Sequence, residues 1–285
     1  MIARTLEQIV ERVTEMPRLP DTASRLIQVI NNPASSVEQI VDIIRYDPTV
    51  TADLLRLCNS AYFGLVRRVR SIDEATRLLG TAKVLQLVIS GTMQVTLARP
   101  QRGYGLAPGA LWEHSVTVAL ACQSLAQRYA PPEAAVLFTA GLLHDLGKVV
   151  LSEYVAAEYG EIMERVQGQN ASFLDAEREV LGFTHAEIGA RLAHTWSLPD
   201  TIVRCIRHHH DPDALGTPDQ LVDIVHLADA IGLLTGVGCG EVDGLAYAVQ
   251  PAVLERCGAN LGVLEQVGVD VVLELKAVRG LFRMS

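Results

Sequence analysis

No cationic run longer than Arg67-Arg68 occurs in the 285 residues, and the formal net charge is −9. Nonspecific nucleic-acid binding needs a clustered cationic face, so nucleic acid is not an expected partner. No two of the five cysteines, Cys58, Cys122, Cys205, Cys239 and Cys257, are spaced as CxxC. They read as small buried hydrophobes of a reducing compartment. No uninterrupted apolar run reaches the roughly 18 residues that a membrane span needs. The closest, VLQLVISGTMQVTLA, is broken by Gln, Ser, Gly and Thr. The first residues, MIARTLEQIVERV, are charged and amphipathic rather than an export signal, so a cytoplasmic chain without a membrane span is expected. Sustained period-2 alternation is also missing, which argues against a sheet. There is no low-complexity tail and no repeat at a solenoid period.

What is present is helical and rich in apolar residues, at 49% of the chain. SSVEQIVDII opens with Ser35 or Ser36 and carries Glu38 or Gln39 three residues on, a capping box. SIDEATRLLG repeats the device with Ser71 and Glu74, and Gly80 is its stop. Asp47-Pro48 starts another helix with Pro at the first position. A Pro- and Gly-rich break at ARPQRGYGLAPG separates a first half from a second, and GVGCGEVDG (236–244) interrupts the helices again. An all-α fold in two lobes is expected.

The second half holds a series of ligand-type side chains: His114, His144-Asp145, His185, His209-His210 and Asp229. Imidazole and carboxylate are the ligands of divalent metals that handle water or phosphate oxygens. GLLHDLGK (141–148) reads as the middle of one apolar helix, AAVLFTAGLLHDLGKVVL, begun by Pro131-Pro132-Glu133. A carboxylate buried there must be paired, hydrogen-bonded or metal-bound, and a His–Asp bond that merely fixes packing is the plain alternative. Thr184 and Glu187 form a capping box and Phe183 and Ile188 a hydrophobic staple, which fixes His185 at the first helical position. That suits a ligand, and equally an ordinary histidine near a cap.

His208-His209-His210 ends a helix begun at Ser197-Leu-Pro-Asp200 and stopped by Asp211-Pro212. Neighbouring helical residues diverge by about 100°, so two of the three can share a metal pair. His114 reads alone as a core histidine, and Asp229 and His226 compete for the last ligand position. His194 reads as surface. Each residue read alone needs its own explanation, whereas one metal site accounts for all of them.

In order and wording the series resembles the HD superfamily of metal-dependent phosphohydrolases, and most closely its HDOD branch, the HD-related output domain of bacterial signalling proteins. The phrases that carry the resemblance are MPRLPDTASRLIQVINNP (16–33), IIRYDPTVTADLLRLCNSAYFG (43–64), SIDEATRLLG (71–80), LWEHS (111–115), GLLHDLGK (141–148), HAEIGARL (185–192), WSLP (196–199) and HHDP (209–212). The resemblance implies an N-terminal helical lobe, 1–105, packed on an HD-like lobe with C-terminal helices, 106–285. Together they would form one module over about 10–235. It implies a signal-transduction and response-regulation module that engages a signalling protein or a small phosphate-containing ligand. No receiver or kinase segment is read in the chain, so the input would come from elsewhere.

Carried onto this chain, the HD roles make His114, His144, His185, His209 and His210 nitrogen ligands. Asp145 would bridge two metals and Asp229 would close the second site. The metal would be Fe, Mn, Zn, Mg or Ni, with no organic cofactor. The alternative implied is hydrolysis of a nucleotide or other phosphodiester. In that reading Asp145 and Lys148 are catalytic, Lys148 steadies the phosphate, and the helix mouth at Thr184 adds backbone donors. Di-iron oxygen chemistry is a third implication. Cyclic di-GMP hydrolysis is not expected, because DPDALGTPDQ follows His210 where HD-GYP proteins carry DG.GYP.

Overall fold

The computed structural model describes residues 19–32, 34–65, 67–169, 172–239 and 249–282. The amphipathic opening, the start of the MPRLP phrase and most of the GVGCGEVDG loop lie outside the described residues. Among the described residues are fourteen α-helices and no strand.

The first half is assembled by its caps. Helix α1 (Asp21–Ile30) leads to α2 (Val37–Arg45), where Ser36 accepts from Gln39 N and the Gln39 side chain returns to Ser36 N. Helix α3 (Pro48–Cys58) starts at Asp47, whose carboxylate accepts from Thr49 N and Val50 N. Helix α4 (Ile72–Leu79) is capped by Ser71, but the reciprocal half of the expected box is absent. Glu74 accepts from Arg70 N instead. Gly80, at φ 80°, ends α4 and opens α5 (Thr81–Leu97), and the chain turns by 117° between them. A positive φ is cheap only without a Cβ.

The Pro/Gly break is not a loose linker. Gln101 and Leu106 form an isolated bridge around a 3₁₀ turn at Arg102–Tyr104, and Gln101, Tyr104 and Leu106 are buried. The second half then runs through α6 (Ala110–Tyr129), α7 (Ala134–Leu143), α8 (Leu146–Gln169), α9 (Phe173–Leu181) and α10 (His185–Thr195). It continues with α11 (Asp200–His208), α12 (Gln220–Thr235), α13 (Pro251–Cys257) and α14 (Leu261–Phe282). Helix α6 is central, packed against α7, α12 and α14. Pro131–Ser152 is long and apolar enough to cross a membrane, yet 83% of its apolar window is buried inside the protein. Wholly buried side chains such as Leu142 and Leu143 contribute about 1.5–3 kcal/mol each. Four of the five cysteines are buried, and all five are free.

Candidate metal centre

The expected continuous helix through GLLHDLGK is interrupted. Helix α7 ends at Leu143, His144 and Asp145 form a turn, and α8 begins at Leu146. His144 Nδ1 donates to the Gly141 carbonyl at 2.7 Å, competing for the acceptor that the helix ladder would offer to residue 145. The break is therefore built by the ligand-type residue itself. Just beyond it, α8 crosses α10 backbone to backbone. A Cβ on Gly147 would fall on the His185 carbonyl and lie 2.7 Å from Gly189 N. That crossing sets Asp145 beside His185.

His185 is the first residue of α10, held by the Thr184–Glu187 capping box, with Phe183 and Ile188 both buried. His209 caps the C-terminal end of α11 and His210 follows it, while His208 is only half-buried. His114 comes from α6 and Asp229 from α12. All seven residues of the sequence series are brought together, in two groups. Asp145, His185, His209 and His210 form one, and His114, His144 and Asp229 the other.

Asp145 stands between the groups. Its Oδ1 is 3.3 Å from His185 Nε2 and 3.9 Å from His209 Nε2, and its Oδ2 is 3.4 Å from His144 Nε2 and 3.8 Å from His114 Nε2. Asp229 places Oδ1 3.2 Å from His114 Nε2 and 3.4 Å from His144 Nε2, with Oδ2 3.7 Å from His210 Nδ1. His226, the competing candidate, is turned away from this role. Its Nδ1 donates to the His209 carbonyl at 2.8 Å and its Nε2 accepts from Gln250 N at 3.1 Å, so it fixes the backbone of a ligand candidate. His194 is exposed, as expected.

Three rings are oriented by what their Nδ1 atoms meet. His144 faces the Gly141 carbonyl, His209 the Ile206 carbonyl at 2.7 Å, and His185 the Glu177 carboxylate at 2.8 Å. Each anchor turns Nε2 inward; those of His144 and His209 have no hydrogen-bond partner, whereas His185 Nε2 lies 2.9 Å from His210 Nε2. His144 Nε2, His209 Nε2, Asp145 Oδ1 and Asp229 Oδ2 are buried without a directed hydrogen bond. An orphaned buried polar atom costs about 1–3 kcal/mol. Four of them converging with nitrogen and oxygen donors fit a divalent cation pair.

Charge distribution agrees with that fit at Asp145, Asp229, His209 and His210. Burial pushes the Asp145 carboxyl up, but Lys148 and His144 outweigh it and hold it well below the usual carboxylate range. Asp229 is likewise held low, against burial, by His114 and His144. Burial, reinforced by His144, pushes His209 down to about 3, and burial with His209 and His185 pushes His210 well down. Both rings are therefore neutral at pH 7, the form that ligates. Burial opposes the imidazolium of His114, yet Asp229 and Asp145 raise it to about 10. His185 is raised to about 9, against burial, by Glu177 and Asp145, and His144 is raised, against burial, by Asp145 and Asp229. A cation entering the centre must therefore displace protons from these three rings.

Two residues expected to serve a phosphate are otherwise engaged. Lys148 is buried with Nζ 2.8 Å from Asp145 Oδ2 and 5.6 Å from the Tyr104 ring centroid. At the mouth of α10, Thr184 N bonds to Glu187, His185 N to Glu177 and Glu187 N to Thr184 Oγ1. Glu177 and Tyr104, both buried beside His185, carried no motif signal. Glu177 lies among Asp175, Arg178 and Glu179, and nothing local separates the buried acid from its solvated neighbours.

Residues 16–212 match the model of the HDOD domain. Over 227 residues the chain is 31% identical to an uncharacterized protein of Treponema pallidum (strain Nichols), covering 78% of this chain and 43% of that one. The chain thus spans less than half of that relative's length. A crystal structure of an HDOD domain protein of unknown function from Geobacter sulfurreducens matches with a TM-score of 0.74 at 25% identity, over 98% of this chain and 100% of that one. A protein of Shewanella amazonensis SB2B, provisionally named a phosphohydrolase, matches with a TM-score of 0.71 at 27% identity, over 96% and 97% of the two chains. The ligand-type residues from His114 to His210 lie inside the matched span, and the chain belongs to the HDOD family.

Proposed function

We propose that this chain is a signal-transduction output module that holds divalent metal at its HD-type centre and acts by binding a signalling protein or a small phosphate-containing ligand. The observation that carries this reading is the enclosure of the centre. Of the seven ligand candidates, only His210 has appreciable side-chain exposure, 15%, while the rest are at or below 4%. Such a site retains a cation well but gives a bulky ester little approach. The engagement of Lys148 with Asp145, and of the α10 backbone donors with Glu187, Glu177 and Thr184, supports the same reading.

A divalent pair, when bound, supplies Lewis acidity and lowers the pKa of coordinated water. In this reading the chain's own residues do the rest. His144, His185 and His209 present Nε2, Asp145 lies between the two groups, and Lys148 offsets its negative charge. The complete ligand series, together with the provisional name of the Shewanella relative, favours metal-dependent phosphodiester hydrolysis as the second reading.

Elemental analysis of chain purified without chelator, paired with turnover of bis(4-nitrophenyl) phosphate in excess Mn²⁺, separates the two. The expected result is roughly two ions per chain, one per ligand group, with no turnover above background. Metal-dependent turnover that disappears in His209→Ala would establish the hydrolase instead. Folded chain that takes up no divalent ion would overturn the metal-holding part of both readings.

A further inference from the structure

Of the three rings oriented through Nδ1, two rest on helix carbonyls that their own helices hold in place. The third, His185, rests on a side chain from another helix. Glu177 in α9 is 0% exposed, and its Oε2 accepts from both His185 Nδ1, at 2.8 Å, and His185 N, at 3.0 Å. Its Oε1 accepts from the Tyr104 hydroxyl at 2.5 Å. Tyr104 does not belong to the HD-type helices. It sits in the turn that joins the first half to α6, and that turn is pressed onto α8. Gly103 N donates to Ser152 Oγ at 3.3 Å, and a Cβ on Gly103 would lie 2.7 Å from Ala156 N. The Tyr104 ring lies edge-on to His185 at 6.3 Å and against Phe173 at 5.4 Å.

We infer that Glu177 is the positioning residue for the ligand His185, and that Tyr104 of the inter-half turn fixes Glu177 in that role. This rests on the reading of the centre as a metal site. A carboxylate on Nδ1 keeps a proton there, so Nε2, which lies 2.9 Å from His210 Nε2, is the nitrogen left to ligate, and the ring's basicity as a ligand is raised. Three donors on one buried carboxylate leave it little freedom to rotate. The orientation of one metal ligand is thereby tied to the turn that joins the first half of the chain to α6 and packs on α8.

The test is Co²⁺ titration of the full chain by visible absorption, alongside the thermal midpoint of the metal-free protein. Glu177→Gln keeps the size but removes the charge that holds the Nδ1 proton. It is expected to weaken Co²⁺ binding about ten- to hundredfold and to change the spectrum at saturation. Glu177→Asp should recover part of the affinity. Tyr104→Phe should weaken binding several-fold in a chain that still folds, with the metal-free midpoint lowered by a few degrees because Glu177 Oε1 loses its donor. Should Glu177→Gln not fold, the Tyr104→Phe comparison decides alone, and unchanged affinity in that folded variant overturns the inference. If wild type binds Co²⁺ and Glu177→Gln matches it in affinity and spectrum, the positioning role is wrong while the metal reading stands. If wild type binds no Co²⁺ at all, the metal reading fails and takes this inference with it.

Discussion

At the scale of single residues, the pairing of Asp145 with Lys148 decides what the centre costs to fold. Lys148 is 5% exposed and Asp145 1%, at 2.8 Å. Removing one member of a buried pair leaves the other desolvated, at a cost of about 3–5 kcal/mol, whereas replacing both with apolar or neutral groups is far less costly. Urea unfolding in EDTA should therefore show Asp145→Asn losing about 3–5 kcal/mol, and Asp145→Asn/Lys148→Met recovering more than half of that. Strictly additive losses would show that the two charges do not depend on each other. The residue scale is also where the sequence was most readable. Imidazole and carboxylate are visible as residue type and order, so the seven residues that cluster, His114, His144, Asp145, His185, His209, His210 and Asp229, could be named as candidates before any contact was known. The partners could not. Glu177 looks like any acid of an amphipathic helix, and its burial follows from how α9 lies against α8 and the His185 end of α10.

At the scale of elements, local signals were legible and helix crossings were not. Ser36, Asp47 and Thr184 cap where the spacing placed them, because a cap is satisfied within four residues. The break after Leu143 was hidden, since apolar composition runs straight through it and the His144 ring's bond back to Gly141 O has no signature in the sequence. The crossing of α8 and α10 was likewise invisible, although its two glycines stand inside the motif phrases. Two glycines of α8 separate these effects. Gly160 is exposed with open space at its Cβ position, so Gly160→Ala should gain up to about 1 kcal/mol from helix propensity. Gly147→Ala would drive a methyl into the His185 carbonyl, and overpacking there should cost about 1–3 kcal/mol or more. Because His185 moves with that backbone, Gly147→Ala should also bind Co²⁺ more weakly, which chemical denaturation and titration of the two variants would check together. Equal stability changes at the two positions would contradict the crossing.

At the scale of the whole molecule, the two-lobe reading of the sequence meets a core that does not stop at a boundary. Buried residues from Leu19 to Phe282 form one cluster, and α14 joins the halves. Its Phe282 packs on Trp112 of α6 with ring centroids 5.2 Å apart, and the Phe282 carbonyl accepts from Gln94 Nε2 of α5 at 2.8 Å. Further along, Glu274 meets Lys83 of α5 at 3.4 Å and Arg279 meets Glu113 of α6 at 2.7 Å. Both pairs are only partly buried and such pairs contribute little, so the apolar contact carries the seam. Truncating a buried Phe to Ala costs about 3–5 kcal/mol. If the halves fold as one cooperative unit, Phe282→Ala must destabilise both. The slowest-exchanging amides of α5 and of α6 should then lose protection by the same free energy in native-state hydrogen exchange. Protection retained in α5 and lost only in α6 and α12 would instead make the halves separate folding units that α14 merely touches.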